Sequence, residues 1–288
     1  MTKPRIAILT PDRKDEAFET RWDKVFDREA EALRAGGITV EARSWTQTED
    51  LESFDLVLPL LAWGYVRDHP AWLAALEEWQ RRGIRLQNPA SALAWNSRKT
   101  YLDALASRGA PIVPALFFDR LSESRLDRAA AHFGTDRLVA KPQISHGGWQ
   151  TIRWSPGESL VGGPEGDVIV QPYMPEIERS GEISLLYFGG LLSHAIRKRP
   201  QPGDFRVQPE YDGIITRHIA ESDEIRAAEA VLTAIDEDLL YARIDLVRGP
   251  DGAPALMEIE LIEPDLYLAF DPAEGRGFAA AVRERIAG

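Results

Sequence analysis

The sequence predicts a mixed α/β protein whose first third is built differently from the rest. Three observations carry that reading. Over residues 1–95, short apolar runs alternate with apolar stripes at helical spacing, the pattern of a small α/β domain with a parallel sheet. After Asn96 the texture changes to strands. Near the C-terminus, two runs of period two carry their acids on shared faces.

Residues 5–9 read as a short buried strand that ends in a Thr-Pro-Asp loop. Val25, Phe26, Ala30 and Leu33 follow at helical spacing, and Gly36-Gly37 stops that helix. Further strands are expected over 38–42 and 56–61. Trp72, Leu76 and Trp79 form the stripe of the next helix, which ends at Gly83. These tryptophans suit packing, whereas Trp63-Gly64-Tyr65 follows a strand end and is placed to line a cleft. Asn96-Ser97 reads as a helix N-cap ahead of Tyr101, Leu102 and Leu105. Strands are then expected over 115–118, 138–141, 151–154, 168–173, 183–188 and 191–198, with Gly189-Gly190 as a tight turn. A long helix over 223–239 buries Ile225, Ala228, Val231, Leu232 and Ile235.

The acid-bearing runs come last. Residues 242–247 place Arg243 and Asp245 on one face, and 257–263 place Glu258 and Glu260 on one face. Between them, Arg248-Gly249-Pro250-Asp251-Gly252 has turn chemistry, so the strands form an antiparallel hairpin with Asp245 level with Glu258. Three carboxylates then converge among apolar residues, where uncompensated charge is costly. A hard divalent cation such as Mg²⁺, as one ion or two, is the natural partner. The competing reading is a solvated acidic strand face; the interleaved apolar positions argue for a buried one.

Composition bounds the rest. The chain has 288 residues and 44% hydrophobic content, enough for two or three domains or lobes. Its net charge of -12 argues against nucleic acid and anionic membranes as partners, while leaving room for a local basic site. The absence of cysteine excludes disulfides, thiolate nucleophiles and thiolate-bound zinc. The N-terminal apolar run is too short for a signal peptide and no segment is long enough to span a bilayer, so a soluble cytoplasmic protein is expected.

No Walker-type loop and no Gly-x-Gly-x-x-Gly loop is present. Instead, Val139-Ala140-Lys141-Pro142 is a strand ending in lysine, followed by Ser145-His146-Gly147-Gly148-Trp149. A lysine beside a glycine loop can hold phosphates by charge and backbone N–H donors. Taken singly this signal is weak, and His146 reads as a loop residue rather than a base.

The order of these elements resembles the ATP-grasp superfamily, especially its glutathione-synthetase-like carboxylate–amine ligases. The resemblance covers the chain from about Asn96 onward. It matches a first lysine to Lys99, a second to Lys141 before Gly147-Gly148, and an adenine-pairing hinge strand to Val170-Gln171-Pro172-Tyr173-Met174. A Gly-acid pair is matched by Gly181-Glu182, the metal-binding aspartate by Asp245, and the closing Glu-x-Asn by Glu258-Ile259-Glu260. Glutamate replacing asparagine in the last motif adds a negative charge.

The resemblance implies an N-terminal α/β domain (1–95) before a two-lobed module, with a small lobe over 96–170 and a C-terminal metal-binding lobe over 171–288. It implies ATP as the nucleotide, with Mg²⁺ or alternatively Mn²⁺ on Asp245, Glu258 and Glu260. The implied activity is transfer of the γ-phosphate to a carboxylate or similar acyl oxygen, then attack by an amine. Lys198 and Arg206 are the candidates for the transferring phosphate and acyl oxygen, with Arg243 as a further one. Strand alternation sends Arg197 and Arg199 to the opposite side from Lys198, where they read as a solvated basic edge. Amino-acid- or peptide-like substrates fit the family, as does a ring closure like that of the D-cycloserine-forming ligases; family analogy adds a homodimer. A silent nucleotide-binding module would not need both lysines and all three acids. A metal-dependent hydrolase would leave Lys99, Lys141 and the hinge without a role.

Overall fold

The computed structural model describes residues 3–12, 18, 22–201, 206–207 and 212–288. Strands β1 (Arg5–Thr10), β2 (Thr39–Ser44) and β3 (Leu56–Leu58) form a parallel sheet in the order β2-β1-β3, as the alternation predicts. The third strand is shorter than expected because Pro59 has no N–H to extend the ladder. Helix α1 (Trp22–Ala35) buries Phe26, Ala30 and Leu33. Helix α2 (His69–Arg81) starts at Asp68, whose carboxylate accepts from the Ala71 N–H, and buries Trp72 against Trp79 edge to face at 5.8 Å.

Two short helices follow, α3 (Ala90–Asn96) and α4 (Tyr101–Ser107). This corrects the expectation for Asn96-Ser97, which close one helix rather than cap the next. The Asn96 amide is spent elsewhere: it donates to the Ile259 carbonyl and accepts from the Leu261 N–H, each at 2.9 Å. Lys99 therefore sits in the turn between the two helices.

A four-stranded antiparallel sheet comes next, formed by β4 (Leu116–Phe118), β5 (Leu138–Pro142), β6 (Ile152–Trp154) and β7 (Val168–Pro172) in the order β4-β7-β5-β6. Helix α5 (Glu123–Phe133), which the sequence reading missed, covers it with Leu126, Ala129 and Ala130. Its buried face is one leucine and two alanines, so no stripe of bulky apolar residues announces it. One more turn of helix, α6 (Glu176–Arg179), leads to the largest sheet.

That sheet holds β8 (Glu182–Phe188), β9 (Leu191–Arg199), β10 (Ile214–His218), β11 (Tyr241–Arg248) and β12 (Pro254–Glu260). The strands are antiparallel throughout, in the order β10-β9-β8-β11-β12. Helix α7 (Ser222–Thr233) ends before the expected residue 239, where Asp236, Glu237 and Asp238 would set three acids against the negative end of its dipole. The last helix, α8 (Arg276–Ala287), returns to the first domain and packs on α1. Gly275 allows that approach: its φ is +76°, and a Cβ there would lie 2.6 Å from the Ala32 Cβ. One core cluster consequently joins Ile6, Phe26 and Leu58 to Tyr241, Leu266 and Phe278. Among the described residues, no helix is long and apolar enough to cross a membrane.

Candidate active site

The β11–β12 hairpin has the register the sequence predicts. Asp245 stands opposite Glu258 and Arg243 opposite Glu260, with a bulge just after Asp245. On its other side β11 sets Asp245 across from Ser184, whose hydroxyl donates to the Asp245 carboxylate at 2.6 Å. One strand further, β9 places Lys198 opposite Glu182. The Lys198 ammonium reaches Glu182 at 2.5 Å and Asp245 at 3.1 Å. Gly181 makes this close pairing feasible, since its φ is +81° and a Cβ would sit 2.5 Å from the Lys198 carbonyl oxygen. Arg197 and Arg199 point away from this row, as alternation requires; Arg197 contacts His218 and Arg199 is exposed.

These side chains line one cavity of about 390 Å³ between the four- and five-stranded sheets, bordered by the N-terminal domain. Lys99, Lys141, Gly147, Gly148, Gln171, Pro172, Tyr173, Met174 and Glu182 all line it. So do Lys198, Arg206, Arg243, Asp245, Glu258 and Glu260, so every residue singled out for the site reaches the same space. Trp63 lines it too, whereas Tyr65 is buried in the first domain. Of the segment 200–213, which carries Arg206, residues 200, 201, 206, 207, 212 and 213 are described.

The charges in the cleft are more compensated than the sequence suggests. The Arg243 guanidinium bonds Asp245 at 3.0 Å and also contacts Glu260. The Lys99 ammonium reaches Glu258 at 2.7 Å and donates to the Ser145 carbonyl at 2.7 Å. Burial alone would raise Asp245, but Arg243 and Lys198 outweigh it and hold its carboxyl below the usual carboxylate range. Burial would likewise lower Lys198, but Asp245 and Glu182 push it up. Glu258 is held down despite burial by Lys99 and Lys141. Glu260 is pushed up to about 7, first by burial and then by Asp245 and Glu258, against the pull of Arg243. Two charges stand apart. Burial pushes Lys141 down, and it has no ion pair among the described residues. Burial and Glu260 push Glu263 up, and it has no ion pair among the described residues, only its own backbone N–H and the more distant Lys99 charge to favour its charged form.

Comparison with known proteins places this geometry. Residues 6–88 match the family model for the N-terminal domain of D-cycloserine synthetase DcsG. The cycloserine biosynthesis protein DcsG of Streptomyces lavendulae is 32% identical over 277 residues, covering 89% of this chain and 92% of that protein. The crystal structure of D-cycloserine synthetase DcsG superposes with a TM-score of 0.82 at 28% identity, over 98% of this chain and 99% of that one. This chain belongs to the ATP-grasp superfamily.

The fold extends beyond that relative. D-alanine–D-alanine ligase from Bacillus anthracis complexed with ATP has a TM-score of 0.69 at 17% identity, over 99% of this chain and 97% of that one. On the strength of the relative at 32% identity, the protein is an ATP-dependent ligase of the carboxylate–amine type, and ATP is the nucleotide of the family.

In this ATP-grasp ligase the acids differ from the expectation in one respect. They were read as uncompensated, but basic side chains stand among them. Among the described residues, no three acids or histidines form a ready-made metal cluster. Asp245, Glu258 and Glu260 nevertheless offer oxygen donors on one wall, and a carboxylate whose proton affinity is raised by its neighbours is one that a cation relieves. The donor set therefore fits a hard divalent ion.

Sequence reasoning missed Asn88 and Asn96. The Asn88 amide donates to the Tyr241 and Leu261 carbonyls and accepts from the Leu240 N–H, while Asn96 grips Ile259 and Leu261. Together they rivet the start of β11 and the end of β12, where the acids sit. It also missed Val139, Met257, Glu263, Asp265 and Tyr267 as cavity residues. For Glu263 a signal existed, because it continues the acid run of Glu258-Ile259-Glu260.

Proposed function

We propose that this ligase converts a carboxylate, or an equivalent acyl oxygen, of an amino-acid-derived substrate into an acyl phosphate, which an amine then attacks to release ADP and phosphate. Ring closure within one substrate is the form we favour, because the relative at 32% identity is a cycloserine biosynthesis protein. The observation that carries the reading is Lys141. It is a buried ammonium with no ion pair among the described residues, attracted only at a distance by Glu258 and Glu182, in a cavity that Lys99 and Lys198 also line. An unpaired buried cation is costly, and a phosphate chain is the ligand that relieves it.

In this reading adenine lies against Gln171, Pro172, Tyr173 and Met174, with Val139 and Met257 as apolar neighbours. Lys99 and Lys141 hold the phosphates, and Gly147 and Gly148, both at positive φ, let the loop backbone approach them. Lys198, Arg243 and Arg206 offset charge on the transferring phosphoryl group and the acyl oxygen. Glu182 acts by fixing Lys198, its 2.5 Å partner. Mg²⁺, when held by Asp245, Glu258 and Glu260, would neutralise phosphate charge, with Mn²⁺ as an alternative and one or two ions accommodated. Segment 1–95 would then contribute acceptor contacts, 96–170 the phosphate-holding lysines and loop, and 171–288 the adenine hinge, the metal site and further acceptor contacts, and assembly as a homodimer is part of the same proposal.

Two measurements test it. ADP release is followed while amino acids and small carboxylates are offered singly and in pairs with Mg-ATP. Thermal shift is recorded with ATP and GTP, and ATP is expected to stabilise the fold more. Equal stabilisation by both nucleotides, or by neither, would sink the adenine assignment. ATP stabilisation without ADP release from any substrate would leave a binding module in place of a ligase.

A further inference from the structure

The cleft is bordered by two apolar clusters of different origin. Val139, Met174, Ile177 and Met257 belong to one, which is set by the two antiparallel sheets. Phe18, Val25 and Trp63 belong to the other, in which the first domain packs against Leu266 and Leu268. Glu263 lies in the segment that joins β12 to the second cluster, and its side chain lines the cavity.

Its charge environment is unusual for this site. Asp245, Glu182, Glu258 and Glu260 each have a basic side chain in contact. Asp265, two residues on, has Arg28 at 4.0 Å. Glu263 has no ion pair among the described residues, and the one hydrogen bond that favours its charged form comes from its own backbone N–H. Glu260 and Glu258 repel it, while Lys99, the nearest attractive charge, is already committed to Glu258 and the Ser145 carbonyl. A partly buried carboxylate so placed calls for a small cation from outside the chain. Trp63 lines the same cavity, and an aromatic ring there suits an ammonium group.

We propose that Glu263 binds the protonated amino group of the substrate and so separates amino acids from hydroxy acids at this end of the cleft. The inference rests on the ligase reading and adds a residue and a chemical group to it. Glu263 complements Lys141: among the described lining residues these two lack an ion pair, and a bound ammonium would stabilise the charged form of one as a phosphate would that of the other.

The test uses wild type, Glu263→Gln and Glu263→Asp. Each is titrated calorimetrically with D-alanine, D-serine, D-cycloserine and D-lactate, in the presence of magnesium and a non-hydrolysable ATP analogue. At least one amino compound should bind wild type, with D-lactate weaker by about thirtyfold, the loss of one charge-assisted hydrogen bond. Glu263→Gln should lose about the same factor for that compound while holding the ATP analogue to within about twofold, and Glu263→Asp should keep part of the affinity. Undiminished amino-compound binding by Glu263→Gln overturns the proposal. Equal binding of D-lactate and D-alanine by wild type, or no binding of any amino compound, overturns it as well. If the ATP analogue itself fails to bind wild type, the ligase reading falls instead, which keeps the two failures distinguishable.

Discussion

The two ends of the cleft follow opposite construction rules. The proposed phosphate end is anchored on strands, with Lys141 on β5 and Glu258 on β12, to which Lys99 in its turn is tied by an ion pair. The proposed acceptor end is made of connections: Trp63 after β3, Glu263 and Asp265 after β12, and Phe18 ahead of α1. One end carries a spare positive charge and the other a spare negative one. Strands give a fixed grip on a ligand that is the same in every turnover of the family, whereas connections can change without disturbing the sheets. In the proposed reading, nucleotide chemistry is therefore anchored on the sheets, and substrate choice rests on what joins them.

The sharpest way to break this comparison is at Lys141. Lys141→Met should lower turnover about a thousandfold, roughly 4 kcal/mol, because a charge aimed at the phosphates is gone. Stability without nucleotide should stay the same or rise, since an unpaired buried ammonium is removed. The pH dependence has a defined sign. Lys141 in the folded protein releases its proton below its ordinary value of 10.5, so the unfolded chain binds that proton more tightly. Wild-type stability therefore gains as pH rises through the interval below 10.5, and the variant lacks that gain. Denaturant melts across pH, with ADP assays alongside, read both effects. Near-normal turnover in the variant would remove Lys141 from the phosphate site.

How much of this was visible beforehand depends on sequence distance. The acids of β11 and β12 declare themselves through period-two alternation and a turn between them, all within residues 242–260. Lys141 and its glycine loop are equally local. The compensation by Arg243 is just as local, whereas that by Lys198 was not legible, because Lys198 and Asp245 lie 47 residues apart and meet only through the register of β8, β9 and β11. Asn96 was misread for a related reason. An asparagine amide serves equally as a helix cap or as a bridge to a strand edge, and only the packing of α3 against β12 decides between them. The acceptor end is assembled from residues as far apart as Phe18 and Tyr267, so no local pattern announces it.

Asn96 links the two ends, which makes it the next most informative position. It holds the segment where Glu260 gives way to Glu263, through two buried hydrogen bonds. Asn96→Ala should cost about 2 kcal/mol in stability, since two buried backbone groups lose their partner. Loosening should reach both ends, with turnover falling and the substrate KM rising more than the ATP KM. A loss confined to stability, with both KM values unchanged, would show that the rivet supports the fold without setting the site.

The smallest expected effect concerns Glu260, where charge compensation is incomplete. Its pKa in the folded protein is about 7 against an ordinary value of 4.5, raised first by burial and then by Asp245 and Glu258. The folded state therefore holds this proton more tightly than the unfolded chain, and the contribution to stability declines as pH rises from about 4.5 through 7. Glu260→Gln carries no titrating proton and should lack that decline. Its Arg243 neighbour is not stranded, because Asp245 keeps it paired at 3.0 Å. The Glu260 side chain is 30% exposed to the cavity, so solvent moderates the repulsion and the gain above pH 7 should stay under about 1 kcal/mol. Denaturation midpoints of both proteins at pH 5 and pH 8 check this. If the variant loses stability relative to wild type on going to pH 8, attraction to Arg243 outweighs the repulsion among the acids. Glu260 would then be a structural partner of that arginine rather than a carboxylate held ready for a cation.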